Sequence, residues 1–294
     1  MRQQGIDGWI GVRAGSCHAW LLPTDETCAA IARRVLKDAV GDLRLEPEVL
    51  DDAVLMASEL AANTLHATSA AGTGPPDDHA VVRARPELWL YLRGVGLRRE
   101  LVCKVFDCYR GWLHGPPPSR VKQARASDVA GRGLQIVHEL SGGRWGHHPT
   151  RARLGGWSMR GKAVWFAVPA PLAHTRLVDV TGLRAYTRSA DVTAARRYEQ
   201  LSARQVVREL QDMLDERGFG SSMLARSDDP RADMSMLSVC RGLTLWCRSG
   251  SVALTGPDGY RERWEYTDLV EAAEQTIRRF EELDPDRPQA LITA

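Results

Sequence analysis

The apolar positions fall first into strand spacing and then into helical spacing. A short apolar segment from His18 to Leu22 is followed by Pro23-Thr24-Asp25-Glu26, a polar start that leads into Cys28, Ile31, Ala32, Val35, Leu36 and Val40 at intervals of three and four. This predicts a strand and then a helix. A second helix is predicted to start near Pro47, a favoured first-turn position, with Leu50, Ala53, Val54, Ala57, Leu60, Ala61 and Thr64 along one face. Ala70 to Ala80 reads as a loop. Glu87 to Arg93 (ELWLYLR) and Glu100 to Asp107 (ELVCKVFD) read as two adjacent antiparallel strands, with Gly94 and Gly96 between them. From Cys108 to Ala130 the pattern dissolves into a long Pro- and Arg-rich connection. Gly131 to Gly143 is a glycine turn feeding a short helix, and Arg144–His148 and Lys162–Pro169 complete the set as two closing strands.

Past Pro171 the pattern changes. A mixed linker precedes an amphipathic helix from about Ser202 to Arg217, stopping at Gly218. Strand-like MLSVC, LTLWC and SVALT follow, and a last helix carries Leu269, Val270, Ala273, Ile277 and Phe280. The expected organisation is a unit over residues 1–170, a linker over 171–197 and a small α-β-β-β-α unit over 198–294, the latter a partner-docking or dimerisation domain.

With 294 residues and 44% hydrophobic content, the chain can form two modest cores. Its 39 basic and 37 acidic residues nearly cancel, so no overall field favours nucleic acid or an anionic membrane. The N-terminal stretch lacks the apolar run of a signal peptide, and no segment has the roughly 18–20 apolar residues of a membrane span. A cytoplasmic location is therefore expected. Cys17, Cys28, Cys103, Cys108, Cys240 and Cys247 form no C-x-x-C pair, which predicts buried thiols rather than a zinc site. His147-His148 reads as a solvated turn, and the scattered tryptophans as packing residues.

Three local signals carry chemistry. Glu59 and Asn63, four apart on the second helix, lie on one face and can act on one ligand. Asp107 ends an apolar strand, where a carboxylate can accept a hydrogen bond from an adenine amino group. Gly131-Arg132-Gly133-Leu134 opens a helix, where glycines allow close backbone approach and N–H groups favour an anion.

In order, SELAANTLHAT (Ser58 to Thr68), VFD, GRGLQIV and GKAVWF resemble the N box, G1 box, G2 box and final strand of the GHKL (Bergerat) ATPases, over about residues 18 to 169. The wording is similar to that of the anti-sigma-factor serine/threonine kinases of GC-rich bacteria. The resemblance implies an α+β two-layer sandwich with a mixed sheet and helices on one face. It implies ATP and Mg²⁺ as cofactors, with Glu59 as acid-base residue, Asn63 as Mg²⁺ ligand, Asp107 as adenine reader, Gly131 and Gly133 as phosphate-loop glycines, and Arg132 adding charge. It also implies phosphoryl transfer to a hydroxyl of a partner protein: an anti-anti-sigma-like substrate, a sigma factor or another transcription regulator. The segment from Cys108 to Ala130 would be the ATP lid. The chain departs from the family where Cys108, Tyr109 and Arg110 follow Asp107, where His66 comes three residues after Asn63, and where Ala163 replaces a common Thr. The alternative is a nucleotide-gated binding module with little or no catalysis. His138-Glu139 echoes a histidine-kinase phosphoacceptor but falls on the helix after the glycines.

Overall fold

The structure is a computed structural model that describes residues 12, 15–71, 85–94, 96–108, 132–154, 159–171, 200–220, 225–229, 231–248 and 250–283. Gly131, most of the expected lid and the expected linker lie outside these residues.

Strand β1 (Cys17–Leu21) leads into α1 (Cys28–Ala39) and then α2 (Pro47–Ala71), whose first residue is the expected proline. Strands β2 (Glu87–Arg93) and β3 (Glu100–Asp107) follow, then α3 (Gly133–Leu140), β4 (Trp145–Arg151) and β5 (Arg160–Pro169). The five strands form one sheet in the order β1-β2-β3-β5-β4, with every neighbour antiparallel. This corrects the expected mixed sheet. Strands β3 and β4 do run the same way, but β5 inserts between them, so no parallel pair forms.

Both faces of this sheet are covered. Leu88, Leu90 and Leu92 of β2 and Leu101, Cys103 and Val105 of β3 share a core with Cys28, Ala32 and Leu36 of α1, Met56, Ala57 and Leu60 of α2, and Leu134 and Val137 of α3. On the other face Trp89 stacks on Phe106, with ring centroids 5.6 Å apart. Tyr91, Val102 and Ala167 on that face pack against Val270 of a helix from the second unit. Burial on both sides explains why β2 and β3 read as nearly continuous apolar runs rather than as alternating strands.

The second unit starts at α4 (Ala203–Asp215), held at its N-terminus by a capping box between Ser202 and Gln205. Five strands follow, β6 (Ala225–Asp229), β7 (Met234–Cys240), β8 (Leu243–Arg248), β9 (Ser251–Thr255) and β10 (Arg261–Glu265), and then α5 (Leu269–Leu283). They form an antiparallel meander in sequence order. The expected α-β-β-β-α unit thus gains two strands. Both are edge strands whose charged sequences, ARSDD and RERWE, hide them from apolar patterning; charges on edges also deter pairing with other chains.

Leu237, Val239, Leu245, Cys247 and Leu254 of the meander bury against α4 and α5. The layers therefore run α1–α3, first sheet, α4 with α5, second sheet: the first unit's own helices lie on one face of its sheet, and the second unit covers the other face. The apolar faces of the amphipathic helices expected to offer a docking surface are buried within the chain itself, while the polar face of α4, with Arg204, Arg208 and Asp212, stays exposed. Buried charges hold this joint: Glu274 of α5 meets Lys104 at 3.2 Å, Arg153 at 2.7 Å and the Arg217 guanidinium. Around it, the Tyr91 hydroxyl donates to Glu271 at 2.5 Å, and Arg160 pairs with Glu281 at 3.2 Å.

Among the described residues no helix is long and apolar enough to cross a membrane.

Candidate nucleotide site

Glu59 and Asn63 sit on the half-buried flank of α2, beside the apolar stripe formed by Met56, Ala57, Leu60 and Ala61. The start of α3 rests on them. A Cβ placed on Gly133 would lie 2.9 Å from Glu59 Oε2 and 3.3 Å from Asn63 Nδ2. Only a glycine lets the helix start approach both side chains this closely without displacing one of them. The opening turn of a helix presents backbone N–H groups that lack intrahelical acceptors, and these favour an anion. A carboxylate, a carboxamide and a helix N-terminus thus converge.

Arg132 stands exposed immediately before α3. Leu134 differs from its neighbours in the expected phosphate loop: it is 8% exposed and its side chain joins the core under α1 and α2. Its contribution to a ligand is limited to its backbone.

Asp107 ends β3 with its side chain buried, directly opposite Lys162 of β5. Lys162 Nζ donates to both carboxylate oxygens at 2.9 Å. By the two-residue alternation of strands, Asp107 lies on the same face as Cys103 and Val105, the face that carries α1–α3. The expected adenine reader is therefore engaged by a buried cation. Sequence reasoning passed over Lys162, because its relation to Asp107 depends on strand register. It also passed over Gly161, where a Cβ would stand 2.1 Å from the Asp107 carbonyl oxygen and 2.7 Å from the Phe106 ring. The glycine lets β5 close on the end of β3, and so fixes the pair.

His148 corrects another expectation. It is 3% exposed and lies within β4, not in a solvated turn. Its Nδ1 lies 3.0 Å from the Pro149 carbonyl and its Nε2 lies 3.3 Å from Lys104 Nζ, an arrangement that suits a neutral ring with the proton on Nδ1. Burial and then the Lys104 charge push its pKa well below the ordinary value. The exposed His138 accepts a hydrogen bond from Trp145 Nε1 at 3.0 Å.

Cys28, Cys103 and Cys247 are buried thiols, as expected, whereas Cys17, Cys108 and Cys240 are half-buried. Burial pushes the Cys247 thiol up to about 12. Among the described residues no cluster of three or more His, Cys, Asp or Glu side chains could hold a metal alone.

Compared with models of protein families, with curated proteins and with solved structures, the chain matches none.

Proposed function

We propose that the chain binds Mg·ATP between α2, α3 and the Asp107 end of the first sheet, and acts as a regulatory protein resembling the anti-sigma-factor serine/threonine kinases. The close seating of Gly133 on Glu59 and Asn63 carries this reading. It is the contact through which a phosphate held at the helix start would come within reach of both side chains.

The donor set suits Mg²⁺, which keeps several waters and needs only one or two protein oxygens beside substrate phosphates. The Asn63 carboxamide oxygen would supply the protein ligand, and the bound ion would neutralise phosphate charge. The first turn of α3 would orient the phosphates through its N–H groups, with Arg132 adding positive charge. Glu59 would accept the proton of a partner's hydroxyl as that oxygen bonds to the γ-phosphorus. The bond from phosphorus to the β–γ bridging oxygen breaks, and ADP leaves. The partner in this reading is a transcription regulator or its antagonist.

A second reading, a nucleotide-gated binding module with little or no turnover, draws on the Asp107–Lys162 pair. A base must share its carboxylate with a buried ammonium.

Calorimetric titration with Mg·ATP, joined to a measurement of ADP formation, tests both. The first reading expects micromolar binding, at least tenfold weaker in Asn63→Ala, with ADP formation abolished in Glu59→Gln while binding persists. Binding without ADP formation, alone or with added candidate regulators, selects the second. No binding up to millimolar Mg·ATP refutes both.

A further inference from the structure

The second sheet gives only one of its faces to the core. Along β8, Leu243, Leu245 and Cys247 enter the core with α4 and α5, so by alternation Thr244, Trp246 and Arg248 face the other way. Among the described residues the helices that pack on this sheet, α4 and α5, both take the inner face. On the outer face the register sets Met236, Trp246, Ala253 and Arg263 in one row across β7 to β10. Trp246 is 37% exposed, which corrects its expected role as a packing residue. Its Nε1 donates to Thr255 Oγ1 at 3.1 Å, so the ring leans across β9, beside the small Ala253, and is held there.

Three arginines surround this ring. Arg248 lies two residues along β8, about 7 Å away, and Arg263 lies two strands across, about 10 Å away. Arg261 is two residues from Arg263 on the same face. All three are exposed and form no ion pair among the described residues. Of the carboxylates on the face, Asp229 accepts from the backbone N–H groups of Arg231 and Ala232, and Glu265 stands at the end of β10.

We propose that this outer face binds single-stranded nucleic acid, with a base stacked on Trp246 and the flanking phosphates held by Arg248, Arg261 and Arg263. The proposal does not rest on the Mg·ATP reading. A second copy of the chain fits less well, because it would set the same arginines against one another. Five strands about 4.8 Å apart and about 17–20 Å long also span only about 400–500 Å², short of the roughly 800 Å² per partner of a stable protein interface. An added peptide strand needs free backbone groups at a sheet edge, and β7, β8 and β9 are paired on both sides. The indole N–H is already taken by Thr255, so what Trp246 offers is the face of its ring. Every base has a π-face to stack on such a ring, and guanidinium groups suit phosphate. The attraction is local, since the chain as a whole is nearly neutral.

The test is fluorescence anisotropy of end-labelled oligothymidine and oligouridine, each of about twelve nucleotides, titrated with the full chain at about 50–200 mM salt. Wild type is expected to bind with a dissociation constant of about 1–100 µM at the lowest salt. The slope of log affinity against log salt should be near −2, about −0.7 for each of three phosphates. Trp246→Ala should weaken binding about tenfold or more at fixed salt, the scale of one lost base stack, and leave the slope unchanged. Trp246→Phe keeps a stacking ring and should recover most of that loss. Arg248→Gln combined with Arg263→Gln should bring the slope to about −0.7. Tighter binding of either strand, or equal binding of both, keeps the proposal and tells RNA from DNA as the ligand. No binding of either strand up to about 100 µM at the lowest salt overturns it. So does binding that Trp246→Ala leaves unchanged, or displacement by polyglutamate as effective as that by unlabelled strand, which would make the face a site for acidic proteins. Trp246 lies outside the core of its unit, and circular dichroism checks that the variants fold. If Trp246→Ala does not fold, the slope of the arginine double variant decides, and a slope still near −2 overturns the proposal.

Discussion

Glu274→Gln probes the joint between the two units most directly. The Glu274 carboxylate is fully buried and is shared by Lys104, Arg153 and Arg217, whose side chains are 2%, 13% and 1% exposed. Burial by itself raises its pKa, but Arg217, Lys104 and Arg153 outweigh that and hold it well below the usual carboxylate range. Burial pulls Arg217 itself down, against the attraction of Glu274. Arginine nevertheless stays protonated at neutral pH, so the network is ionic. The amide keeps the shape of the side chain and removes the charge all three cations share. Breaking a buried pair from one side costs about 3–5 kcal/mol. That figure applies once rather than three times, because contacts to a single carboxylate are not additive.

Urea denaturation followed by tryptophan fluorescence and by circular dichroism reads this cost. With a slope of about 3 kcal/mol per molar, the midpoint should fall by roughly 1–2 M. Adding Lys104→Met removes one stranded cation and should recover part of the loss, with a coupling of about 0.5–3 kcal/mol. A single-variant loss below about 1 kcal/mol would refute the reasoning, because it would mean that water reaches the carboxylate and that the joint is not a buried interface.

Three further outcomes follow from the same geometry. Gly161→Ala forces a methyl against the Asp107 carbonyl oxygen at 2.1 Å, an atom of the backbone that cannot swing away; a loss of about 3 kcal/mol or more, at the upper end for overpacking, is expected in thermal denaturation, and a neutral result would refute the close strand approach. Gly133→Ala meets the movable end of Glu59 at 2.9 Å, so stability should change by no more than about 1 kcal/mol while Mg·ATP binding weakens severalfold by calorimetry; unchanged binding would separate α3 from the site. His148 is held neutral in the folded chain by burial and by Lys104, with its pKa below the ordinary 6.5. Well above pH 6.5, by about a unit or more, it is neutral folded or unfolded and contributes no pH dependence. As pH falls below 6.5 the unfolded chain takes up a proton that the folded chain refuses, and stability drops by up to about 1.4 kcal/mol per pH unit until the folded pKa is reached. Glu274, with its depressed pKa, adds a loss only below about pH 4.5. Urea midpoints at pH 6.5 and 5.5 should therefore separate wild type from His148→Gln, and parallel pH profiles would count against a buried neutral ring.

Local sequence determined the elements whose apolar spacing is decided by one buried face. α1 and α2 were legible from Cys28, Ala32, Val35 and Leu36 and from Ala53, Ala57, Leu60 and Ala61, because each helix buries a single stripe. The pairing of β2 with β3 was legible because two apolar runs flank a short glycine-bearing turn. So was the spacing that puts Glu59 and Asn63 on one helical face, since helical periodicity is a local property. Strands β6 and β10 were not legible: as sheet edges they carry charge where an interior strand would carry apolar residues.

Tertiary structure alone decided the remainder. The seating of Gly133 on Glu59 and Asn63 joins residues about seventy positions apart, and the bond between Asp107 and Lys162 depends on a register that no one-strand pattern encodes. Lys104 within ELVCKVFD and Glu274 on α5 each look like an ordinary surface charge in sequence. Only the docking of α5 on the second face of the first sheet makes them partners. The physical reason is common to all of these. Periodicity reports which side of an element avoids water, whereas a charge in a buried position reports nothing until the chain has folded its counter-charge against it.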